Sequence, residues 1–367
     1  MTAPDVNRGP TGSRVPAPGS DGSAADLLRG PVPPGGETPR AEGTGELEPT
    51  PRLLARLQQS IGESVIGSAG AVQALTIALS CDGHVLLEGL PGLAKTYLVR
   101  SFARSLDLSF RRIQFTPDML PTDIVGNVVL SPTTHELEFR PGPVFCNVLL
   151  ADEINRAPPK VQSALLETMQ EFQVTVDGRT HPLPRPFLVI ATQNPVEQEG
   201  TYPLPESQLD RFLFRYILGY PDRSDEVRIL SSQGESLGRE VTPGIASTED
   251  IAVLRARHQD TYVSPDVLAY IADIIRETRQ DARILVGASP RAGVHLLLAA
   301  RALAILEGRR YVLPDDVRAL SFSVLNHRII LRPEARRSRG VAPGTIGEAD
   351  LLREIVGASV DRVKVPR

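Results

Sequence analysis

Apolar residues recur along the chain in two spacings that predict different elements. Spacing typical of an amphipathic helix begins at Leu53 and predicts further helices at 72–79, 97–108 and 161–172. Short continuous apolar runs predict buried strands at 85–87, 146–151 and 187–191. Because strands alternate with helices, we predict a three-layer αβα domain with a mainly parallel sheet.

The pattern changes from Pro221 onward, where helical spacing dominates. Ser264 and Pro265 are typical of a helix start, with a capping hydroxyl followed by Pro at the first helical position. The buried face of this helix is predicted to comprise Leu268, Ile271, Ile274 and Ile275. Further helices are predicted at 291–306, 314–325 and 349–356. We therefore expect an α/β domain at 51–220 and a smaller all-α domain at 221–367.

Two hairpins are predicted inside the α/β domain. The segment 116–143 contains five Pro, which exclude a long helix, and its residues 127–130 and 136–139 flank a turn. Asp177-Gly178 lies between alternating residues, which is a strong hairpin signal.

Residues 1–50 differ in composition from the rest of the chain, since they hold 18 Gly and Pro and no Ile, Phe, Tyr or Trp. Such a segment buries too little apolar surface to offset its ordering entropy, so we predict a disordered tail.

Composition limits the function classes. The 367 residues carry a net charge of −4 with a pI of about 5.9, so no global basic field attracts nucleic acid or acidic lipid. Only Cys81 and Cys146 occur, which implies no disulfide framework. The sequence shows neither a secretory signal nor an apolar run of transmembrane length. We expect a cytoplasmic protein with no membrane insertion.

The most informative segment is 84–96, where an apolar strand runs into a Gly-rich turn that ends in Lys95-Thr96. This is the pattern of a phosphate-binding P-loop. Gly89 and Gly92 allow the backbone amides to approach phosphate oxygens, Lys95 adds a charge, and the Thr96 hydroxyl can hold Mg²⁺. Ala94 stands where a second Gly is usual, and we expect it just inside the helix with φ near −60°. The competing interpretation is an ordinary Gly-rich turn.

Polar residues at two other predicted strand ends fit the same chemistry. Asp152 and Glu153 end an apolar strand, and ligands of open α/β sheets lie at carboxyl strand ends. One acid can help to hold Mg²⁺ and the next can activate water. Asn194 follows another strand and could hydrogen-bond the γ-phosphate and the water, although Asn-Pro is also an ordinary turn.

Other candidate residues are less distinctive taken alone. Arg211 and Arg291 could neutralise charge in phosphoryl transfer, but in a chain with 40 Lys and Arg an isolated Arg is usually a solvated surface residue. Cys81 and His84 lie three residues apart, and no second pair completes a zinc set.

Taken in order, the motifs resemble those of the MoxR family of AAA+ ATPases. The resemblance covers about 315 residues from Arg52 onward. It is carried by residues 89–96 (GLPGLAKT), 151–156 (ADEINR), 191–195 (ATQNP), 200–212 (GTYPLPESQLDRF) and 289–291 (SPR). Ala before the Lys is usual for that family.

The resemblance implies a role for each candidate residue. Walker A would comprise Gly89, Leu90, Pro91, Gly92, Leu93, Ala94, Lys95 and Thr96, and the adenine pocket would include Val65, Ile66 and Gly67. Asp152 would hold Mg²⁺ with Thr96, and Glu153 would be the catalytic base. Asn194 would place the water, Arg211 would reach the neighbouring subunit's nucleotide, and Arg291 would be the second sensor on the helical lid. Where the family often has Gln, this chain has Ser68.

The resemblance also implies an assembly and a function. The family binds ATP and Mg²⁺, forms hexameric rings, and often works with a partner that bears a von Willebrand factor A domain. We therefore predict an ATP-hydrolysing, ring-forming remodeller of client proteins. The alternatives are a chelatase-type ATPase subunit, a nucleic-acid motor, which the pI disfavours, and a nucleotide-gated adaptor with negligible turnover.

Overall fold

The computed structural model describes residues 50–89, 92–193, 201–231, 241–343 and 345–366. The predicted disordered tail therefore lies outside the described residues, apart from Thr50. So do Leu90, Pro91 and Asn194 among the predicted site residues. The statements below concern the described residues.

The strands are, in chain order, Val85–Gly89 (β1), Phe110–Gln114 (β2), Gly126–Leu130 (β3), Leu137–Pro141 (β4), Val148–Asp152 (β5), Gln173–Val176 (β6), Arg179–Pro182 (β7), Leu188–Gln193 (β8), Phe214–Leu218 (β9), Ile284–Val286 (β10) and Ile330–Leu331 (β11). The helices are Thr50–Gly62 (α1), Ala69–Ser80 (α2), Lys95–Ser105 (α3), Pro121–Val125 (α4), Pro159–Glu171 (α5), Glu206–Leu209 (α6), Arg223–Ser231 (α7), Thr248–Asp260 (α8), Pro265–Thr278 (α9), Pro290–Leu306 (α10), Pro314–Leu325 (α11), Pro333–Arg337 (α12) and Ile346–Arg362 (α13).

The central sheet is parallel, with strand order β2-β5-β8-β1-β9. Strands β1 and β5 are buried along their whole length, as expected for strands covered on both faces. Alternate residues of β1 enter different cores. Val85 and Leu87 pack with α1, α2 and α3, whereas Leu86 packs with α4 and α5. The predicted three-layer αβα arrangement is confirmed.

Both predicted hairpins are present. Strands β3 and β4 pair antiparallel, and so do β6 and β7. The turn between β6 and β7 places Asp177 at φ 48° and Gly178 at φ 74°, which is the type I′ geometry that Asp-Gly favours. The hairpins also touch, because the Phe139 ring stacks on the His181 ring with 4.0 Å between centroids.

The helical lid follows β9 and is built mainly from α8 to α11 and α13. Ser264 caps α9 as predicted, since its side chain accepts a hydrogen bond from the Val267 amide. The prediction for Leu268 was wrong, because its side chain is 44% exposed. The buried stripe of α9 runs through Val267, Ile271 and Ile274, and a helical rotation of 100° per residue turns Leu268 off that stripe.

Several features were not predicted from the sequence. Strand β9 and the small antiparallel pair of β10 and β11 are additional, and α13 extends well beyond the predicted 349–356. The domain boundary near residue 220 stays a prediction. Among the described helices, none combines the length and the apolar character needed to span a bilayer.

Candidate nucleotide site

The sheet brings the predicted phosphate-binding residues to one edge. Lys95 follows β1, Asp152 ends β5, and Thr192 lies near the end of β8. These three strands are adjacent and parallel, so their carboxyl ends meet. Partial burial lowers the pKa of the Lys95 ammonium, and the nearby Asp152 and Glu153 carboxylates oppose that shift. The predicted grouping of Lys95, Asp152 and Glu153 is therefore present.

The turn that enters α3 has a left-handed backbone. Gly92 has φ +87° and Ala94 has φ +51°. The expected helical φ for Ala94 was wrong, because Ala94 lies before the first helical residue and α3 begins at Lys95. A left-handed conformation costs a residue with a Cβ roughly 1–2 kcal/mol. This geometry explains why Gly is usual at position 94 in other P-loops. Lys95 Nζ donates to the Gly89 carbonyl at 2.6 Å.

Asp152 is held on both carboxylate oxygens. Its Oδ1 accepts from the Thr192 hydroxyl at 2.5 Å, and its Oδ2 accepts from Arg112 Nε and Nη2 at 3.0 and 2.7 Å. The side chain is nearly buried. A carboxylate offers about four lone-pair sites, so these three bonds leave roughly one for a further ligand.

Glu153 is presented by a strained turn. Its φ of +58° lies in the left-handed region, which bulky residues rarely adopt. The side chain points away from the sheet core, where Oε2 accepts from Gln114 Nε2 at 2.7 Å and pairs with Arg156 Nε at 3.1 Å. Its backbone amide donates to the Thr192 hydroxyl at 3.0 Å. Thr192 therefore links the two acids.

Sequence reasoning missed Arg112, Gln114 and Thr192. Arg112 and Gln114 lie two apart on β2, so they share one face, and Gln114 is in register with Asp152. The signal was present as polar residues at alternate positions of a strand. Their partners were not readable, because they lie about 40 residues away and depend on the pairing of β2 with β5.

A cavity of about 290 Å³ lies beside the turn. The predicted Val65, Ile66 and Gly67 line it together with Ala94 and the chain segment 216–222. Ser68 also lines this cavity, and its buried hydroxyl has no hydrogen-bond partner within the described structure. Since a buried polar atom without a partner is costly, this hydroxyl is suited to a ligand contact.

Arg211 precedes β9 near the amino ends of the strands, opposite the P-loop, and Arg291 contacts its chain neighbour Asp210. Arg211 precedes β9, whose first residue Phe214 is in register with Val85, while the P-loop follows the last residue of β1. At about 3.3 Å per residue the two strand ends are separated by roughly 13 Å. Arg291 Nη1 lies 3.8 Å from Asp210 Oδ2, next to Arg211 in the chain. The structure thus places Arg291 beside Asp210, the chain neighbour of Arg211.

His84 has a structural role. Its Nε2 donates to the Met169 carbonyl at 2.9 Å, and its Nδ1 accepts from the Val189 amide at 3.0 Å. Burial lowers the pKa of His84 to about 4, so it is neutral near pH 7.

Across the described ranges, no group of three or more His, Cys, Asp or Glu is arranged to hold a metal ion.

Known proteins resemble this chain over most of its length. Residues 84–214 match the model of the ATPase family associated with various cellular activities (AAA), and residues 276–349 match the AAA lid domain. The chain is 44% identical to Chaperone MoxR1 of Mycobacterium tuberculosis over 317 residues, which cover 83% of this chain and 81% of that one. It belongs to the MoxR family of AAA+ ATPases.

Two further relatives extend the comparison. The uncharacterized protein YeaC of Bacillus subtilis is 46% identical over 314 residues, covering 86% of this chain and 95% of that one. A crystal structure of a candidate ATPase from Cytophaga hutchinsonii superposes with a TM-score of 0.76 at 39% identity, and the match covers 87% of this chain and 96% of that one. As a MoxR-family member, the chain is a nucleotide-binding P-loop ATPase with an AAA lid.

Proposed function

We propose that this MoxR-family protein hydrolyses ATP to ADP and phosphate in a ring oligomer and uses the reaction to remodel client proteins. The observation that carries the proposal is the grouping of Lys95, Asp152 and Glu153 at the carboxyl edge of the sheet, with Thr192 bonded to both acids. Within this set, Lys95 can neutralise phosphate charge and Glu153 can activate the water. Phosphoryl transfer requires both roles.

The described residues fit ATP. The cavity beside Ala94 has the position and size to take the base and sugar, and the Ser68 hydroxyl, which no described residue binds, lies in its wall. The left-handed turn at Gly92 and Ala94, followed by the N-terminus of α3, favours backbone amides that face the phosphates. Lys95 would exchange its contact with the Gly89 carbonyl for phosphate oxygens.

Thr96 and Asp152 would hold Mg²⁺. When bound, Mg²⁺ neutralises charge on the β- and γ-phosphates. Because Asp152 already accepts bonds from Arg112 and Thr192, it suits contact through a coordinated water better than direct ligation.

Glu153 would take the proton of the attacking water. Gln114 and Arg156 hold its Oε2, which orients the carboxylate. Asn194 remains the predicted residue that places the water, and it lies outside the described residues.

Arg211 and Arg291 would act on the neighbouring subunit's nucleotide. Both lie near the amino edge of the sheet, while their own P-loop lies at the carboxyl edge. A site completed by a neighbour requires a head-to-tail ring, and we propose the hexamer implied by the family. The domain boundary near 220 separates the lid, which carries Arg291, from the α/β domain.

Client remodelling is supported by the surface of the β3–β4 hairpin. Leu130 and Leu137 are in register on this hairpin and are 61% and 72% exposed. Paired exposed leucines are suited to a protein contact. The name of Chaperone MoxR1 points to the same kind of activity in a relative. A von Willebrand factor A domain partner and a cytoplasmic location belong to this proposal as expectations of the family.

The test is steady-state phosphate release by wild type, Lys95→Ala and Glu153→Gln, with fluorescent ADP binding measured in parallel. We expect both variants to lose hydrolysis by about 100-fold or more. Glu153→Gln should still bind nucleotide, and Lys95→Ala should bind it weakly. Full hydrolysis in either variant would contradict the proposal. The Glu153→Gln protein is also the suitable bait for clients, since blocked hydrolysis should retain them.

A further inference from the structure

We propose that Asp210 and Arg328 are positioning residues, which fix the loop that carries Arg211 and so place Arg211 for the neighbouring subunit's nucleotide. The inference rests on the proposed function, because it assumes that Arg211 acts across the subunit interface. Asp210 lies within the motif 200–212 but had no role assigned to it, and Arg328 lies outside every motif. The inference makes the lid the part of each subunit that positions its own Arg211.

Arg328 holds the loop from within the lid. It lies between α11 and β11, and its side chain is 1% exposed. Nε donates to Asp210 Oδ1 at 2.8 Å, and Nη2 donates to the Asp210 carbonyl at 3.2 Å and to the Phe212 carbonyl. Nη1 donates to the carbonyl of Leu213 at 3.3 Å and to that of Val324. The guanidinium therefore binds backbone on both sides of Arg211.

The residues next to Arg328 extend the same contact. His327 Nε2 donates to the Phe212 carbonyl at 3.1 Å, and Asn326 Nδ2 donates to the Arg215 carbonyl at 3.0 Å. Three consecutive lid residues thus bind the carbonyls that run from Asp210 into β9. Arg211 itself makes no ion pair with any described residue, so its side chain is left available.

His295 also contacts the Arg328 guanidinium. Arg328 Nη2 lies 2.5 Å from His295 Nδ1, and because Arg only donates, that nitrogen accepts. The two hydrogens of Nη2 are therefore shared among His295 Nδ1 and the carbonyls of Asp210 and Phe212. Burial lowers the pKa of His295 to about 3, with the Arg328 charge as a further cause, so the ring stays neutral near pH 7. Burial also lowers the pKa of Arg328, to about 10, which leaves it charged at that pH.

The Arg328 guanidinium is buried and the Asp210 carboxylate is 23% exposed, so forming this ion pair costs desolvation energy. Charged pairs taken out of water often stabilise no better than apolar residues of the same size, whereas they fix one geometry. Here the geometry fixed is that of residues 210–213, the four-residue loop between α6 and β9 that contains Arg211. Asp210 also faces Arg291 at 3.8 Å, so the two arginines proposed to meet one nucleotide share a single anchor.

The experiment compares Asp210→Asn and Arg328→Lys with Asp316→Asn. Asp316 is the matched control, because it is a nearly buried lid carboxylate that accepts from Arg309 at 2.8 and 2.6 Å and does not touch the Arg211 loop. We expect Asp210→Asn and Arg328→Lys to lower kcat for phosphate release by about 100-fold, since small misplacements of a catalytic group have effects of this size. Affinity for fluorescent ADP should stay within about twofold of wild type. Asp316→Asn should lower Tm and keep kcat.

Mixed rings decide whether the defect acts across the interface. In an equimolar mixture, Lys95→Ala subunits supply an intact Arg211 loop and Asp210→Asn subunits supply an intact P-loop. Phosphate release should recover to about a quarter of wild type, because one interface in four joins the two intact parts. Mixed with Arg211→Ala, Asp210→Asn should not recover. Failure to recover with Lys95→Ala would overturn the inference, as would unchanged kcat in Asp210→Asn. If Arg328→Lys does not fold, the Asp210→Asn arms decide alone.

The control for the proposed function is the mixture of Lys95→Ala with Arg211→Ala. If that pair recovers and the Asp210→Asn mixture does not, only the inference fails. If that pair does not recover, Arg211 does not act across an interface, and both the shared site and its positioning are overturned.

Discussion

Two residues next to the reacting groups adopt backbone conformations that side chains rarely take. Ala94 precedes Lys95 with φ +51°, and Glu153 follows Asp152 with φ +58°. Ala94 lies in the turn between β1 and α3, and Glu153 directly follows β5, so both belong to turns at the carboxyl ends of buried strands. Local strain of this kind persists only where the surroundings enforce it, and it is common at functional sites.

The left-handed backbone at Ala94 predicts the direction in which two substitutions change the free energy of unfolding. Ala94→Gly should raise the free energy of unfolding by up to about 1 kcal/mol, because relief of strain exceeds the entropy that Gly adds to the unfolded chain. Ala94→Val should lower it by more than about 2 kcal/mol, since a β-branched residue fits this conformation poorly. Urea unfolding measures both. A loss of stability in Ala94→Gly would contradict the left-handed assignment.

For Ser68→Ala we expect the free energy of unfolding and the affinity for ATP to respond differently. Ser68→Ala removes a buried hydroxyl that has no partner among the described residues, so the nucleotide-free protein should be unchanged or more stable by about 1 kcal/mol. ATP should bind about fivefold more weakly, because the hydroxyl is proposed to meet the ligand. Ser80→Ala is the control, as that hydroxyl already donates to the Ile77 carbonyl in the same helix. Unchanged ATP affinity in Ser68→Ala would remove Ser68 from the base pocket.

At the scale of elements, the two hairpins contact each other, and the β3–β4 hairpin carries exposed apolar residues. The β3–β4 hairpin and the β6–β7 hairpin meet where Phe139 stacks on His181. An isolated two-stranded hairpin is marginal in water, so this contact should matter for both.

We predict that His181→Ala loosens the hairpins and spares the rest of the fold. Amide exchange within 126–141 and 173–182 should be faster by about fivefold, since an aromatic pair contributes roughly 1 kcal/mol. Exchange in β1 and β5 should not change. Thr175→Ala, on the same hairpin and away from the ring pair, provides a comparison. Hydrogen exchange read by mass spectrometry would contradict the prediction if both variants behaved alike.

His84 joins three elements and should make stability depend on pH. It bonds α5 through Met169 and β8 through Val189, at the start of β1. Its folded pKa of about 4 lies below the usual 6.5, chiefly through burial; Arg185 adds to the shift and Asp82 opposes it. The unfolded chain therefore binds the proton first, and stability is lost as pH falls from 6.5 towards 4.

Replacing His84 should flatten that dependence. In His84→Gln the free energy of unfolding should change less between pH 6 and pH 5, by up to about 1.4 kcal/mol. The exposed His135→Asn should leave the dependence as it is in wild type. Equal slopes for wild type and His84→Gln in urea titrations at these pH values would rule out a neutral buried His84.

At the scale of the whole molecule, sequence motifs predicted the parts of the site that are local in the chain. Residues 84–96 and 146–153 each contain a strand and the turn that follows it, so their chemistry could be predicted before the fold was known. The pairing of Arg112 with Asp152 and of Gln114 with Glu153 depends on strand order, which the local pattern does not encode.

The proximity of Arg291 and Arg328 to Asp210 depends on how the lid packs on β9. Leu268 shows the same limit, since apolar character alone did not fix which face of α9 is buried.

The overall arrangement places Lys95 and Arg211 at opposite edges of one sheet, so neither subunit alone completes the proposed site. Phosphate release by a mixture of Lys95→Ala and Arg211→Ala proteins tests this most directly. Each variant alone should be inactive, and the equimolar mixture should recover about a quarter of wild-type activity, because one interface in four joins an intact P-loop to an intact Arg211. A mixture that stays as inactive as its components would contradict the shared site.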